Sequence, residues 1–201
     1  MAKIRWKPGN MLYPLPAVLV TCGTVPGKTN IFTVSWTGTV NSEPPMLSIS
    51  VRKERFSHPL IMESGEFVVN LTTREMARAV DWCGVRSGRD HDKFRETGLT
   101  PDPPGVLRTP MIRESPVNIE CRVERVIELG SHDLFLGRVE AVHVEERYLD
   151  KQTGAFDLRQ TDPIAYLHGS YYVLGERLGR FGFSVRKKRR KRRGREDGDA
   201  E

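Results

Sequence analysis

Three short stretches hold the side chains best able to do chemistry. In TNIFTVSWTGTV, residues 29–40, a strand would put Thr33, Ser35, Thr37 and Thr39 on one face and Phe32, Val34, Trp36 and Val40 on the other. MLSISVR repeats the alternation: Ser48 and Ser50 oppose Leu47, Ile49 and Val51, and the run ends at Arg52, with Lys53, Arg55 and Ser57 just beyond. Hydroxyls beside backbone amides and one or two guanidinium groups suit a phosphate, because arginine offers its oxygens a planar fork of donors. Threonine also favours strands in its own right, so periodicity alone leaves a plain solvent-facing surface equally open.

The second stretch, SGRDHDKF, is a loop containing Ser87 and Gly88 that runs into a short helix. Unsatisfied amides at such an entry can hold an anion or a carbonyl-rich ring, and Lys93 adds a movable charge. An ordinary helix start capped by Asp90 or Asp92 accounts for the same residues. The third, GSHDLFLG, sets His132 at the tip of an expected hairpin, where it is either turn chemistry or an imidazole projected over a ligand.

Other chemistries find little support. His58, His91, His143 and His168 are scattered without ligand spacing, and Cys22, Cys83 and Cys121 form neither a CxxC pair nor an even-numbered framework. No metal site is expected. The phosphate-loop, dinucleotide-fingerprint, zinc-protease and nucleophile-elbow patterns are all absent.

The elements that must position these residues read mainly as strands. Candidates are Ala17–Gly23, IFTVSWT, MLSISVR, Glu66–Thr72, Val117–Leu129, Leu134–Glu146 and the run IAYLHGSYYVLG. Val117, Ile119, Cys121, Val123, Ile127 and Leu129 alternate with mostly polar residues, Arg125 excepted, and GSHD then turns the chain into a second long strand. TREMARAVDWCG reads as a helix capped by Thr72 or Thr73 with Glu75, with Met76, Ala79, Val80 and Cys83 on one face and a stop at Gly84. DHDKFRETG is a shorter one ending at Gly98. There is no βαβ rhythm; a mostly antiparallel β-barrel or sandwich with inserted helices is expected.

The chain has 201 residues and a net charge of +6, enough length for one well-buried domain, 1–185. Residues 186–201 hold nine basic and four acidic residues, a surplus of +5 that leaves the body near neutral. Eight consecutive basic residues cannot bury apolar surface, so this tail is expected to be disordered. It can hold nucleic acid or an anionic membrane surface electrostatically, and a merely solvated tail is the simpler expectation. No signal-peptide or membrane-spanning run is visible; no membrane insertion and a cytoplasmic location are expected.

The fragments KPGNMLYPLPAVLVT, KTNIFTVSWTGTVNSEPPMLSISVRKERFSH, ESGEFVVNLTTREM, VDWCGVRSGRDHDKF, NIECRVERVIELGSHDLFLG, GSYYVLG and GRFGFS, in this order, resemble the flavin reductase-like family and, more narrowly, its flavoredoxin-like branch. The resemblance implies an FMN-binding split β-barrel and a homodimer with FMN near the subunit interface. It implies Asn30, Thr33, Ser35 and Trp36 along the flavin ring and ribityl chain. Ser50, Val51, Arg52, Arg55 and Ser57 would follow, with the arginines and hydroxyls nearest the phosphate. Ser87, Gly88 and Lys93 would close another side, His132 would sit where the electron donor approaches, and Tyr166 is a candidate from the other subunit. The implied activity is that of an NAD(P)H-dependent flavin or ferric reductase, with NADH or NADPH as co-substrate and free flavin or a redox protein as acceptor. The alternatives are a flavoredoxin-like electron carrier reduced by a protein partner and a nucleic-acid-tethered module using the basic tail.

Overall fold

A computed structural model describes residues 1–25 and 28–185; the basic tail, 186–201, and the disorder expected of it lie outside the described residues. In chain order the elements are β1 (Leu15–Pro16), β2 (Val18–Cys22), β3 (Asn30–Val34), β4 (Thr37–Ser42), β5 (Pro45–Arg52), α1 (Ser57–Ser64), β6 (Glu66–Asn70), α2 (Ala77–Val85) and α3 (Lys93–Thr97). They continue with β7 (Pro101–Asp102), β8 (Met111–Ile112), β9 (Val117–Glu128), β10 (His132–Val144), β11 (Ile164–Leu167) and β12 (Ser170–Val173).

Seven strands form one antiparallel sheet in the order β3-β2-β6-β9-β10-β5-β4. Its two end strands, β3 and β4, are neighbours in the chain, separated only by Ser35 and Trp36. The Trp36 carbonyl accepts a hydrogen bond from the Ser50 amide of β5 at 2.9 Å. The sheet therefore curls until a dipeptide joins its opposite edges, which is the mostly antiparallel split barrel expected. Among the described residues no helix is long and apolar enough to cross a membrane.

Inside the curl lie Val20, Phe32, Val34, Ile49, Phe67 and Phe135, with Ile61 of α1 plugging one end. Gly137 of β10 is needed here: a Cβ on it would stand 2.6 Å from the Phe67 ring, which lies across that strand. A second core sits on the outer face, where Leu19 and Ile31 meet Met76, the residue just before α2, and Val80 and Cys83 of α2, on the face the spacing predicts. β2 and β3 are thus covered on both sides.

That double covering corrects the reading of residues 29–40 as one strand with a core face and a hydroxyl face. The strand breaks at Ser35–Trp36, Trp36 and Val40 are about half exposed (45% and 50%), and Thr33 points at α2, donating its hydroxyl to the Val80 carbonyl. The expected cap on α2 does not form either. Thr72 is buried and its hydroxyl goes to the Ala17 carbonyl of the adjoining segment, while the helix runs through Gly84 to Val85. α3 is capped as expected, Asp92 accepting from the Arg95 amide, and it ends at Gly98 in the left-handed region.

The long β9–β10 hairpin is present, with one correction. Leu136 pairs with Arg125 but Gly137 pairs with Val123, leaving Glu124 as an extra residue. This bulge reverses the inward phase, so Val126 rather than Ile127 packs on the core, and Leu129 is exposed. The hairpin β11–β12 turns at His168–Gly169, both with positive φ (47° and 83°), the pairing that a tight two-residue turn demands. α1 was absent from the sequence reading; Pro59 in its first turn and the left-handed Gly65 after its end are its signals.

Candidate functional site

An elongated cleft runs along the junction where β3, the Ser35–Trp36 crossing and β5 meet α2 and the loop before α3. It has two compartments, of about 390 Å³ and about 240 Å³, which share Phe32, Arg52 and Arg55 as a common wall. All the sequence candidates line it. Asn30, Ser57, Ser87, Gly88 and Lys93 are in the larger compartment, and Thr33, Ser35, Trp36, Ser50, Val51, His132 and Tyr166 in the smaller.

The larger compartment is a cation pocket. The chain enters it twice, once as β5 leaves the sheet at Arg52 and turns into α1, and once between α2 and α3. Arg55 donates from Nη1 to the Gly84 carbonyl at 3.1 Å, which fixes its guanidinium on the shared wall. Arg52, also exposed, leans on Glu54 at 3.3 Å. Asn30 donates its side-chain amide to Ser57 Oγ at 2.8 Å, so the Ser57 hydroxyl keeps its own proton to give. Gly88 makes room: a Cβ there would fall 2.3 Å from Asn30 Oδ1 and 2.7 Å from the Phe56 ring.

Lys93 is the unusual group, with only 4% of its surface exposed. Its Nζ donates to the Cys83 carbonyl at 2.7 Å, and among the described residues no carboxylate is paired with it. Burial pulls its pKa down from 10.5 to about 8, Arg55 adding repulsion, while the thiols of Cys83 and Cys22 oppose the shift. An anion placed beside this amine restores what burial removes. The thiols themselves are not reactive groups: burial pushes Cys22 up to about 12 and Cys83 to about 11, leaving no thiolate near neutral pH.

The smaller compartment mixes rings with hydroxyls. His132, the first residue of β10, sits opposite Arg52 in the strand register. Its Nδ1 lies 2.9 Å from Ser131 Oγ and its ring is 5.8 Å from Trp36. Ser35 and Ser50 add hydroxyls; Thr33, with its proton on Val80, offers the cleft an acceptor rather than the expected donor. Tyr166, a candidate from another subunit, lines this chain's own cleft, carried there by the small sheet β1-β11-β12. The sequence reading missed Asp81 and Tyr171 on the far wall and Arg86 and Arg89 beside the phosphate-type donors. The last two flank the Ser87–Gly88 motif and were legible from that position. Tyr171 faces Tyr166 across β11–β12, which only the strand pairing discloses. Burial and the nearby Asp81 raise the Tyr171 pKa, so its phenol stays protonated.

Over residues 10–175 the chain matches the sequence model of the flavin reductase like domain. It is similar in structure to the flavoredoxin of Desulfovibrio vulgaris (Miyazaki F), at a TM-score of 0.84 and 30% identity, the match covering 92% of this chain and 100% of that one. For the flavoredoxin from Methanosarcina acetivorans the corresponding values are 0.82, 33%, 92% and 100%. For an FMN-binding protein from Thermus thermophilus they are 0.74, 25%, 90% and 99%.

Proposed function

The chain belongs to the flavin reductase-like family, and from that premise we propose that it is an FMN-binding oxidoreductase taking a hydride from NADH or NADPH and passing electrons to free flavin, ferric iron or a redox protein. One observation carries the reading: a single cleft with a hydroxyl- and ring-lined end joined to a cation-lined end through two shared arginines. A phosphorylated isoalloxazine has that polarity. The donor set fits it: guanidinium forks from Arg52 and Arg55 and the free hydroxyl proton of Ser57 for the phosphate, with Ser35 and Ser50 for the ring and ribityl hydroxyls.

FMN supplies the redox chemistry, accepting a hydride and releasing electrons. The residues of the chain orient and screen. Trp36 and His132 wall one side of the ring-lined end and leave an approach for the donor. Lys93 would hold a proton on Nζ in the cation-lined compartment, favouring the anionic parts of the bound flavin, and the Gly88 backbone would line the same compartment. The body, residues 1–185, works as a homodimer in this reading, with the exposed Val40 and Val142 of β4 and β10 available to a second copy.

Two expectations follow from the pocket's geometry. Gly88→Ala pushes a methyl group into Asn30 and Phe56 and should weaken FMN binding by roughly tenfold, a loss of about 1.4 kcal/mol, read by quenching of flavin fluorescence. Lys93 sets a pH dependence. The folded pKa near 8 lies below the ordinary 10.5, so the free protein carries a neutral amine above pH 8 and gains stability as pH rises from there toward 10.5. Bound FMN favours the charged amine, so binding above pH 8 must take up a proton. The Kd should therefore rise with pH beyond 8, by at most about tenfold per unit, and Lys93→Met should flatten the curve.

A second reading has its own support, the extent of the match to two flavoredoxins: the flavin stays and the nicotinamide is replaced by a protein electron donor. Stopped-flow mixing of the FMN-loaded chain separates the two. Bleaching of the flavin by NADH or NADPH supports the reductase; no reduction by either, with rapid reduction by ferredoxin, supports the carrier. A protein that takes up no FMN overturns both.

A further inference from the structure

Resting on the flavin reading above, we propose that Asp133, behind the cleft, is a positioning residue that gives the site its selectivity for a phosphorylated flavin. It holds the segment from Arg52 to His58 so that Arg52, Arg55 and Ser57 converge on one phosphate.

The segment that carries these three donors lies at and beyond the end of the sheet. As it leaves β5 it makes two successive turns, the Arg55 amide donating to the Arg52 carbonyl and the His58 amide to the Arg55 carbonyl, each at 3.0 Å, while α1 begins at Ser57. A binding segment of this kind is only as precise as the scaffold that holds it.

The hold comes from the tip of the β9–β10 hairpin. Asp133, the second residue of β10, is buried, with Oδ2 2.8 Å from His58 Nε2 and Oδ1 3.3 Å from Lys53 Nζ. Lys53 also meets Glu128, the last residue of β9, at 2.8 Å. The His58 ring stands edge-on to Phe135 of β10 at 5.4 Å. One carboxylate thus grips the segment at both ends. Each member of the cluster adjoins a residue of the cleft: Lys53 follows Arg52, His58 follows Ser57, and Asp133 follows His132. Burial works against the charge on Asp133, but His58 and Lys53 outweigh it and hold the carboxyl below its ordinary pKa. The anchor is therefore an anion at neutral pH.

An anion behind a phosphate site also repels the ligand, and this gives the test its sign. By charge alone, neutralising Asp133 tightens FMN binding; by loss of position, it weakens it.

The test is titration of the full chain with FMN and with riboflavin, which has the same ring and ribityl chain but no phosphate, read by flavin fluorescence alongside urea unfolding. Asp133→Asn keeps the shape and loses the charge. It should raise the Kd for FMN roughly tenfold and change that for riboflavin by less than about twofold. In a Ser57→Ala background the same substitution should cost at most about threefold, because one of the donors it places is already gone. His58→Phe keeps a ring against Phe135 and loses the bond to Asp133; it should show the same selective loss, about threefold to fivefold, and decides the matter if Asp133→Asn does not fold. Unchanged FMN affinity, tighter FMN binding, or equal weakening of both flavins in a folded variant overturns the role of Asp133 and leaves the flavin reading standing. A wild type that binds FMN and riboflavin alike overturns the phosphate assignment and this role with it, and one that binds neither overturns the flavin reading itself.

Discussion

Replacing Arg55 by alanine should raise the Kd for FMN by roughly thirtyfold to a hundredfold, the largest single effect expected in the cleft. Arg55 belongs to both compartments and is held in place by its bond to the Gly84 carbonyl, whereas Arg52 bonds only an exposed carboxylate. Hydrogen bonds to a charged group contribute about 1.5–3 kcal/mol each, and about 1.4 kcal/mol is a factor of ten in affinity. Arg55→Lys keeps the charge and loses the planar fork, so it should recover only part of the loss. Arg52, exposed and already leaning on Glu54, should cost less. Flavin retention unchanged in both Arg55→Ala and Lys93→Ala would remove the phosphate assignment.

The second large effect is expected far from the cleft. Glu120 of β9 has no exposed surface, and its carboxylate collects the amides of Gly105 (2.9 Å), Val106 (3.1 Å) and Leu107 (2.6 Å) together with His143 Nε2 (2.6 Å). Burial alone would raise its pKa, but the donors from Leu107, His143, Val106 and Gly105 hold it below the usual carboxylate value. Glu120→Ala leaves those buried donors without an acceptor and should lower stability by about 3 kcal/mol in urea unfolding. Because the folded pKa is depressed, this contribution is complete above the unfolded value and is lost as pH falls through the folded one. The acid-unfolding midpoint of the wild type should therefore move toward neutral pH in Glu120→Gln, which keeps the shape and loses the charge.

These two carboxyl-and-arginine centres differ in how far they can be read from sequence. Arg55 stands in a motif, close behind a strand whose alternation is visible, and the order of motifs along the chain locates it. Glu120 sits in VNIECRVERVIEL, where alternation marks it as outward-facing; three of its four partner residues give it backbone amides, those of residues 105–107, and main-chain donors leave no trace in residue type. The same limit explains the strand break at Ser35–Trp36. Periodicity finds two faces in residues 29–40, but nothing in it says that α2 covers Ile31 and Thr33 while Trp36 stays half exposed. The hairpin tip with His132 and the Asp92 cap of α3 were legible because their determinants are local. The bulge at Glu124 was visible only as one charged residue out of phase.

The Ser35–Trp36 crossing has a further consequence, for the order in which the molecule assembles. The pairs β2–β3, β4–β5 and β9–β10 join neighbouring segments and can form early, the β4–β5 ladder running on through the bond from the Ser50 amide to the Trp36 carbonyl, whereas β2–β6, β6–β9 and β5–β10 join segments distant in the chain and hold the two end strands beside one another only once all are in place. Ser35, Trp36 and Ser50 also line the cleft, so the binding surface exists only once the ring has closed. Amide hydrogen exchange in β6, both of whose ladders are long-range, should therefore report closure. A bound flavin should slow exchange across these long-range ladders, making occupancy of the cleft the latch on the last step of folding.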